Sequence, residues 1–316
     1  MPAERYRLVT RSDFDGLVCA VVLKELDLIE DIAFVHPKDV QDGLVEIGPG
    51  DITTNLPYSP RAHLVFDHHQ SEMLRNATIA DNHLIDPDAP SAARVVYNHF
   101  GGRDRLPNVP PELLRAVDQA DSAQYALEDV LDPKRWVLLN FIMDSRTGLG
   151  RFRDFRISNY QLMMQLIDAC LENEVDEILQ LPDVKERVDL YHEQSGAFLE
   201  QLQRCTSIRG TVAVVDLRPE AVMHAGNRFA VYALYPECSA SAHVLWGKQQ
   251  QNTVIAVGKS ILNRTSGVDI GALMLSYGGG GHANAGTCQV QHTDSDRVVD
   301  EIVGHLNAAG ISSIQT

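Results

Sequence analysis

Two aspartates flank a phenylalanine in "RSDFDG", residues 11–16, directly after the apolar run Tyr6 to Val9. A turn accounts for Asp and Gly at such a place. A divalent cation accounts for them equally, because it neutralises carboxylates that otherwise repel. A second stretch, "LVFDHHQSE" (residues 64–72), ends an apolar run in Asp67, His68 and His69. Imidazole and carboxylate together suit Mn, Zn or Fe. In "AVDQADS", residues 116–122, Asp118 and Asp121 stand three apart. On a helix they share one face, so either could reach a metal. A fourth stretch, "YGGGGHANAGT" (residues 277–287), sets Gly278 to Gly281 before His282 and Asn284. Glycines pack nothing and cost backbone entropy. A run of them makes sense where backbone N–H groups approach an anion closely, with the small residues beyond it letting a helix pack tightly.

The elements that must carry these residues follow from periodicity. Strand-like runs "YRLVT", "IAFVHP", "DITTN" and "HLVFD" alternate with the helix-period segments "GLVCAVVLKELDLI" and "SAARVVYNHF". That alternation predicts an α/β domain with a mainly parallel sheet. Ligands of such sheets sit beyond the carboxyl ends of the strands, so "RSDFDG" and Asp67-His68-His69 should meet at one edge. From Pro111 to Gln203 the pattern is helical, in "NYQLMMQLIDACLENEVDEILQL" and "VDLYHEQSGAFLEQLQRC". Beyond Ser207, "TVAVVDL", "FAVYALY", "SAHVLW" and "NTVIAVGKSIL" read as strands of a second, smaller α/β domain. The expected organisation is a first domain over residues 1–190, a linker helix over 191–206 and a second domain over 207–316.

Charge narrows the partners. The 316 residues carry 43 acidic against 27 basic side chains, a formal net charge of -16. Duplex binding relies on many Lys and Arg contacts to phosphate, so long duplex DNA is not an expected partner. Short phosphate-bearing ligands remain open. No membrane span is expected, since no run of apolar residues is long enough, and the N-terminus lacks a signal-peptide layout. Five scattered cysteines without a C-x-x-C pair fit free thiols and a cytoplasmic setting. Arg146, Arg151, Arg153 and Arg156 either fork onto phosphate or pair with local acids. Arg264, shortly before the glycine run, is the stronger phosphate candidate. His192, His243, Trp136 and Trp246 sit in apolar contexts and read as structural.

Taken in order, Asp13-Phe14-Asp15-Gly16, Asp67-His68-His69 and an aspartate near position 121 resemble the motifs of the DHH phosphoesterase superfamily. Gly279-Gly280-Gly281-His282 with Ala285-Gly286 resembles the glycine-histidine motif of its associated DHHA1 domain. That superfamily includes RecJ-like exonucleases, nano-RNases that also act on 3',5'-bisphosphoadenosine, and cyclic-dinucleotide phosphodiesterases. The resemblance implies Mn2+-dependent hydrolysis of a phosphoester or phosphoanhydride in a cleft between two domains. It implies Asp13, Asp15, His68 and Asp121 as metal ligands, Asp67 and His69 as catalytic residues, and Arg264, Gly279, Gly280, Gly281 and His282 as substrate contacts. Two positions depart from the pattern. Val9 stands where relatives carry a histidine, and Asn55 stands where they carry an aspartate that bridges two metals. A neutral amide is the poorer bridge. One tightly held Mn2+ is expected, with Mg2+ as the alternative ion and a second site weak. Short oligoribonucleotides lead as substrates, then a nucleoside bisphosphate or cyclic dinucleotide, then polyphosphate in an exopolyphosphatase reading. A nucleotide-binding relative with little turnover is the rival reading. A homodimer is left open.

Overall fold

The structure, a computed structural model, describes residues 5–69 and 80–311. The last three residues of "LVFDHHQSE" lie outside that range. The chain divides into two compact units. The first comprises residues 1–124, 134–145 and 152–189, and the second residues 125–133, 146–151 and 190–316.

The first unit is built on a five-stranded sheet in the order β2-β1-β3-β4-β5. Its strands are β1 (Tyr6–Arg11), β2 (Ile29–Val35), β3 (Asp51–Thr54), β4 (Leu64–Asp67) and β5 (His83–Ile85), and every pairing is parallel. The helix after β1, Phe14–Glu25, is buried from Phe14 through Leu23. A helix apolar all round has to be covered on all sides. It packs between the sheet and the helices Ala92–His99, Pro111–Asp121 and Asn159–Glu172. Gly16 serves the sharp strand-to-helix turn, since a Cβ there would lie 1.9 Å from the Arg11 carbonyl oxygen. The consequence for function is register. β1, β3 and β4 end together, so Asp13, Asn55 and Asp67-His68-His69 gather at one edge of the sheet.

The second unit holds a six-stranded sheet in the order β10-β11-β9-β8-β7-β6. Its strands are β6 (Thr206–Arg209), β7 (Val212–Asp216), β8 (Ala240–Trp246), β9 (Thr253–Lys259), β10 (Gly280–His282) and β11 (Ala285–Val290). β7 and β8 run parallel, and the other pairs are antiparallel. Val214, Val244 and Val257 from the sheet pack on Ile270, Met274 and Ile302 from the helices Ile270–Leu275 and Ser295–Ile311. One continuous helix, Pro182–Cys205, runs through the residue at which the first unit gives way to the second.

Three segments differ from the sequence expectation. "FAVYALY" forms the helix Ala230–Leu234, not a strand. Its β-branched and aromatic residues favour strands only weakly against tertiary context. Here Ala230, Val231 and Tyr232 are buried together, and the Tyr232 hydroxyl lies 2.9 Å from Ser241 Oγ and donates to the Gly258 carbonyl. The residues after the glycine run form β11, not a helix. A Cβ at Gly279 would lie 2.1 Å from the Thr287 oxygen, and one at Gly281 2.3 Å from the Ala285 oxygen, so these glycines let a tight hairpin close. "NYQLMMQLIDACLENEVDEILQL" breaks at Asn173, where Glu174 caps a short second helix, Val175–Ile178. Among the described residues no helix is long and apolar enough to cross a membrane. All five cysteines are free.

Candidate metal centre at the sheet edge

Asp15 leaves the first turn of the Phe14–Glu25 helix and is buried. His68 follows the last residue of β4, and Asp121 ends the helix Pro111–Asp121. Each offers one ligand atom, and these atoms lie within 4.8 Å of one another. His68 Nδ1 faces the Ala89 carbonyl oxygen at 3.1 Å. Donation there places the lone pair on Nε2, the arrangement that prepares an imidazole for a cation. That Nε2 is 3.0 Å from Asp121 Oδ2, yet it is out of line for a hydrogen bond. Asp15 accepts the N–H groups of Ala93 at 2.8 Å and Ala92 at 3.0 Å.

The electrostatics of the trio call for positive charge. Burial pushes the Asp15 carboxyl well above its usual range, and the charges of Asp121 and Asp13 push it further. Burial lowers His68, but contact with Asp121 and the charges of Asp121 and Asp15 outweigh it, so the imidazole is raised to about 9. Without a cation, the site therefore holds protons. Next to it, both side-chain polar atoms of buried Asn55 and Oδ2 of fully buried Asp67 have no hydrogen-bond partner among the described residues. Buried polar atoms left this way call for an ion or a water. Two carboxylates and an imidazole fit a divalent cation of the Mn2+ or Mg2+ kind.

The remaining predicted residues fall elsewhere. Asp13 is outside the trio. It caps its helix by accepting the Gly16 N–H at 3.0 Å and pairs with Arg11 Nε at 2.8 Å. Asp118 is engaged by Ser91 Oγ at 2.8 Å and by Arg94 through Nε at 3.1 Å and Nη2 at 2.5 Å. Of the two aspartates on that helix, Asp121 thus faces His68. His69 donates through Nδ1 to Asp67 Oδ1 at 2.7 Å. Val9 is fully buried within the sheet. Asn55 follows β3 with a left-handed backbone, φ 56°. Arg156 pairs with Asp183 through Nε at 2.8 Å, which is the local salt-bridging alternative.

In the second unit, His282 is exposed on β10, and Arg264 is exposed with Nε donating to the Ile261 carbonyl at 3.1 Å. Lys259, in the same unit, was not singled out in the sequence. It ends β9, its N–H donates to Asn284 beyond the glycine run, and its ammonium has no ion-pair partner among the described residues.

No family model and no curated protein sequence matches the chain. Among solved structures, the pGpG-specific phosphodiesterase PggH from Vibrio cholerae is 56% identical, with a TM-score of 0.85 over 96% of this chain and 100% of that one. CDC45 from Entamoeba histolytica is 9% identical with a TM-score of 0.52 over 95% of each chain, a likeness of fold alone. A parallel sheet that gathers the aspartate and histidine motifs at its edge, followed by a unit with a glycine-histidine hairpin, defines a phosphoesterase. The chain belongs to the DHH/DHHA1 superfamily.

Proposed function

We propose that the protein is a Mn2+-dependent phosphodiesterase that hydrolyses short 5'-phosphorylated dinucleotides of the pGpG kind. The observation that carries the reading is the convergence of Asp15, His68 and Asp121 from three separate elements. The substrate follows from 56% identity, along the full length of the other chain, to a pGpG-specific enzyme. Asp15, His68 and Asp121 would hold the cation, with Asp67 supplying the charge that Asn55 lacks. The cation supplies Lewis acidity toward a phosphoryl oxygen and toward water. Asp67 fixes the His69 tautomer, which leaves Nε2 as the nitrogen able to carry a proton to or from the reacting phosphate. Lys259, Arg264, His282 and the glycine hairpin would bind the substrate's phosphate and ribose groups. A net charge of -16 disfavours long polyanions and leaves a short ligand as the one that a few cations can hold.

The test is a substrate panel with Mn2+-supplemented protein: pGpG, pApA, cyclic di-GMP, 3',5'-bisphosphoadenosine and polyphosphate. Hydrolysis of one phosphodiester in pGpG consumes one water and yields two GMP. The expected result is fastest turnover of pGpG. Faster release of phosphate from polyphosphate, or no turnover of any member, overturns the reading.

A further inference from the structure

One short segment that supplies no ligand touches the surroundings of all three. Residues 89–94, "APSAAR", enter and begin the helix Ala92–His99. The Ala89 carbonyl accepts from His68 Nδ1 and sets its tautomer. The Ala92 and Ala93 N–H groups hold both oxygens of Asp15. Ser91 Oγ accepts the Arg94 N–H at 3.1 Å, capping the same helix, and donates to Asp118 Oδ1. Arg94 closes onto Asp118 Oδ2 with two nitrogens. Asp118 stands one turn before Asp121 on the helix Pro111–Asp121. Ser91, Ala92 and Ala93 are completely buried.

We infer that Ser91, Arg94 and Asp118 are positioning residues that preorganise the cation site. Their network fixes the helix start that grips Asp15 against the helix that presents Asp121, with the His68 acceptor two residues before Ser91. The inference rests on the metal-centre reading above and is independent of which nucleotide is cleaved. Hydrogen-bond partners standing behind metal ligands typically contribute about 10- to 100-fold in metal affinity.

The experiment measures Mn2+ affinity by titration calorimetry, together with thermal unfolding of the metal-free protein, for Ser91→Ala, Ser91→Thr, Arg94→Gln and Asp118→Asn. Ser91→Ala and Arg94→Gln should weaken Mn2+ binding about tenfold or more. Ser91→Thr, which keeps the hydroxyl, should restore it, and turnover of the weakened variants should rise as Mn2+ is raised. Unchanged Mn2+ affinity in Ser91→Ala and Arg94→Gln, with or without a lowered Tm, makes the network merely structural and overturns the inference. Loss of Mn2+ confined to Asp118→Asn makes Asp118 a ligand and overturns it as well. Should Asp118→Asn not fold, the Ser91 pair decides. Wild-type protein that binds no Mn2+ overturns the metal-centre reading and this inference with it, whereas failure to cleave pGpG overturns only the substrate assignment.

Discussion

Protons and the cation compete for His68, and the structure sets the scale of that competition. In the metal-free protein the imidazole is raised to about 9, against burial, by its contact with Asp121 and by the charges of Asp121 and Asp15. A liganding imidazole must be neutral, so metal binding releases its proton. Below that value, each unit of pH lowers the apparent affinity about tenfold, or about 1.4 kcal/mol. Between pH 9 and pH 7 the loss is about 100-fold. Asp15, also raised, adds a second proton wherever it is still protonated. Calorimetry of Mn2+ binding at pH 6.5, 7.5 and 8.5, repeated in buffers of different ionisation enthalpy, counts the protons. About one should leave per cation at pH 7.5, and affinity should climb across the series. Asp121→Asn should weaken Mn2+ binding and, at Mn2+ concentrations that still load the site, reduce the proton count, because the carboxylate that raises His68 is gone. Affinity flat from pH 6.5 to 8.5 with no proton released would refute the reasoning. Stability follows the same sign. For groups raised in the folded state, the contribution is fully present below the unfolded value and is lost as pH rises through the folded one. The Tm of metal-free protein should therefore fall from pH 6.5 toward 9, and the gain in Tm on adding Mn2+ should grow over the same window.

Asp15→Ala should abolish Mn2+ binding and turnover while circular dichroism still shows the fold, and retained activity would exclude the site. Asn55→Asp sets a second buried carboxylate beside Asp67, so the metal-free Tm should fall while a second Mn2+ binds more tightly. Calorimetric stoichiometry checks this, and two tight equivalents in the unmodified protein would show that Asn55 is not the weak point. At Gly280 a Cβ would meet nothing within 4 Å. Gly280→Ala should therefore leave stability within about 0.5 kcal/mol but slow turnover, and unchanged turnover would remove the glycine run from substrate contact.

How much of this was legible in the sequence depended on the kind of signal. The parallel sheet was readable because the short apolar runs of β1 and β4 are followed by helix-period segments, and a parallel register then brings the strand ends to one edge. The second unit was readable as α/β, but "FAVYALY" misled. Val and aromatic residues favour a strand only on a surface that pairs, and that segment instead buries itself as one helical turn and a half against β8 and β9. The glycines misled differently. A run without side chains invites a ligand reading, yet Gly279 and Gly281 are already required by the backbone of their own hairpin; open space remains at Gly278, whose φ of 75° disfavours a side chain, and at Gly280.

The site divides the same way. The proposed ligands are legible by type because metal chemistry favours carboxylate and imidazole, and Asp15, His68 and Asp121 are such residues in motifs at strand and helix ends. Their supports are not legible. Ala89, Ala92 and Ala93 act through backbone carbonyl and N–H groups that every residue possesses, so no residue type marks them. Asp118 was indistinguishable from Asp121 by type and spacing, and Ser91 and Arg94, at the start of a different helix, separate them. A guanidinium neutralises Asp118 and leaves Asp121 with an imidazole. On the proposed reading, Asp118, which already has its cation, supports the site, and Asp121, which faces an imidazole, is the one that would bind a metal.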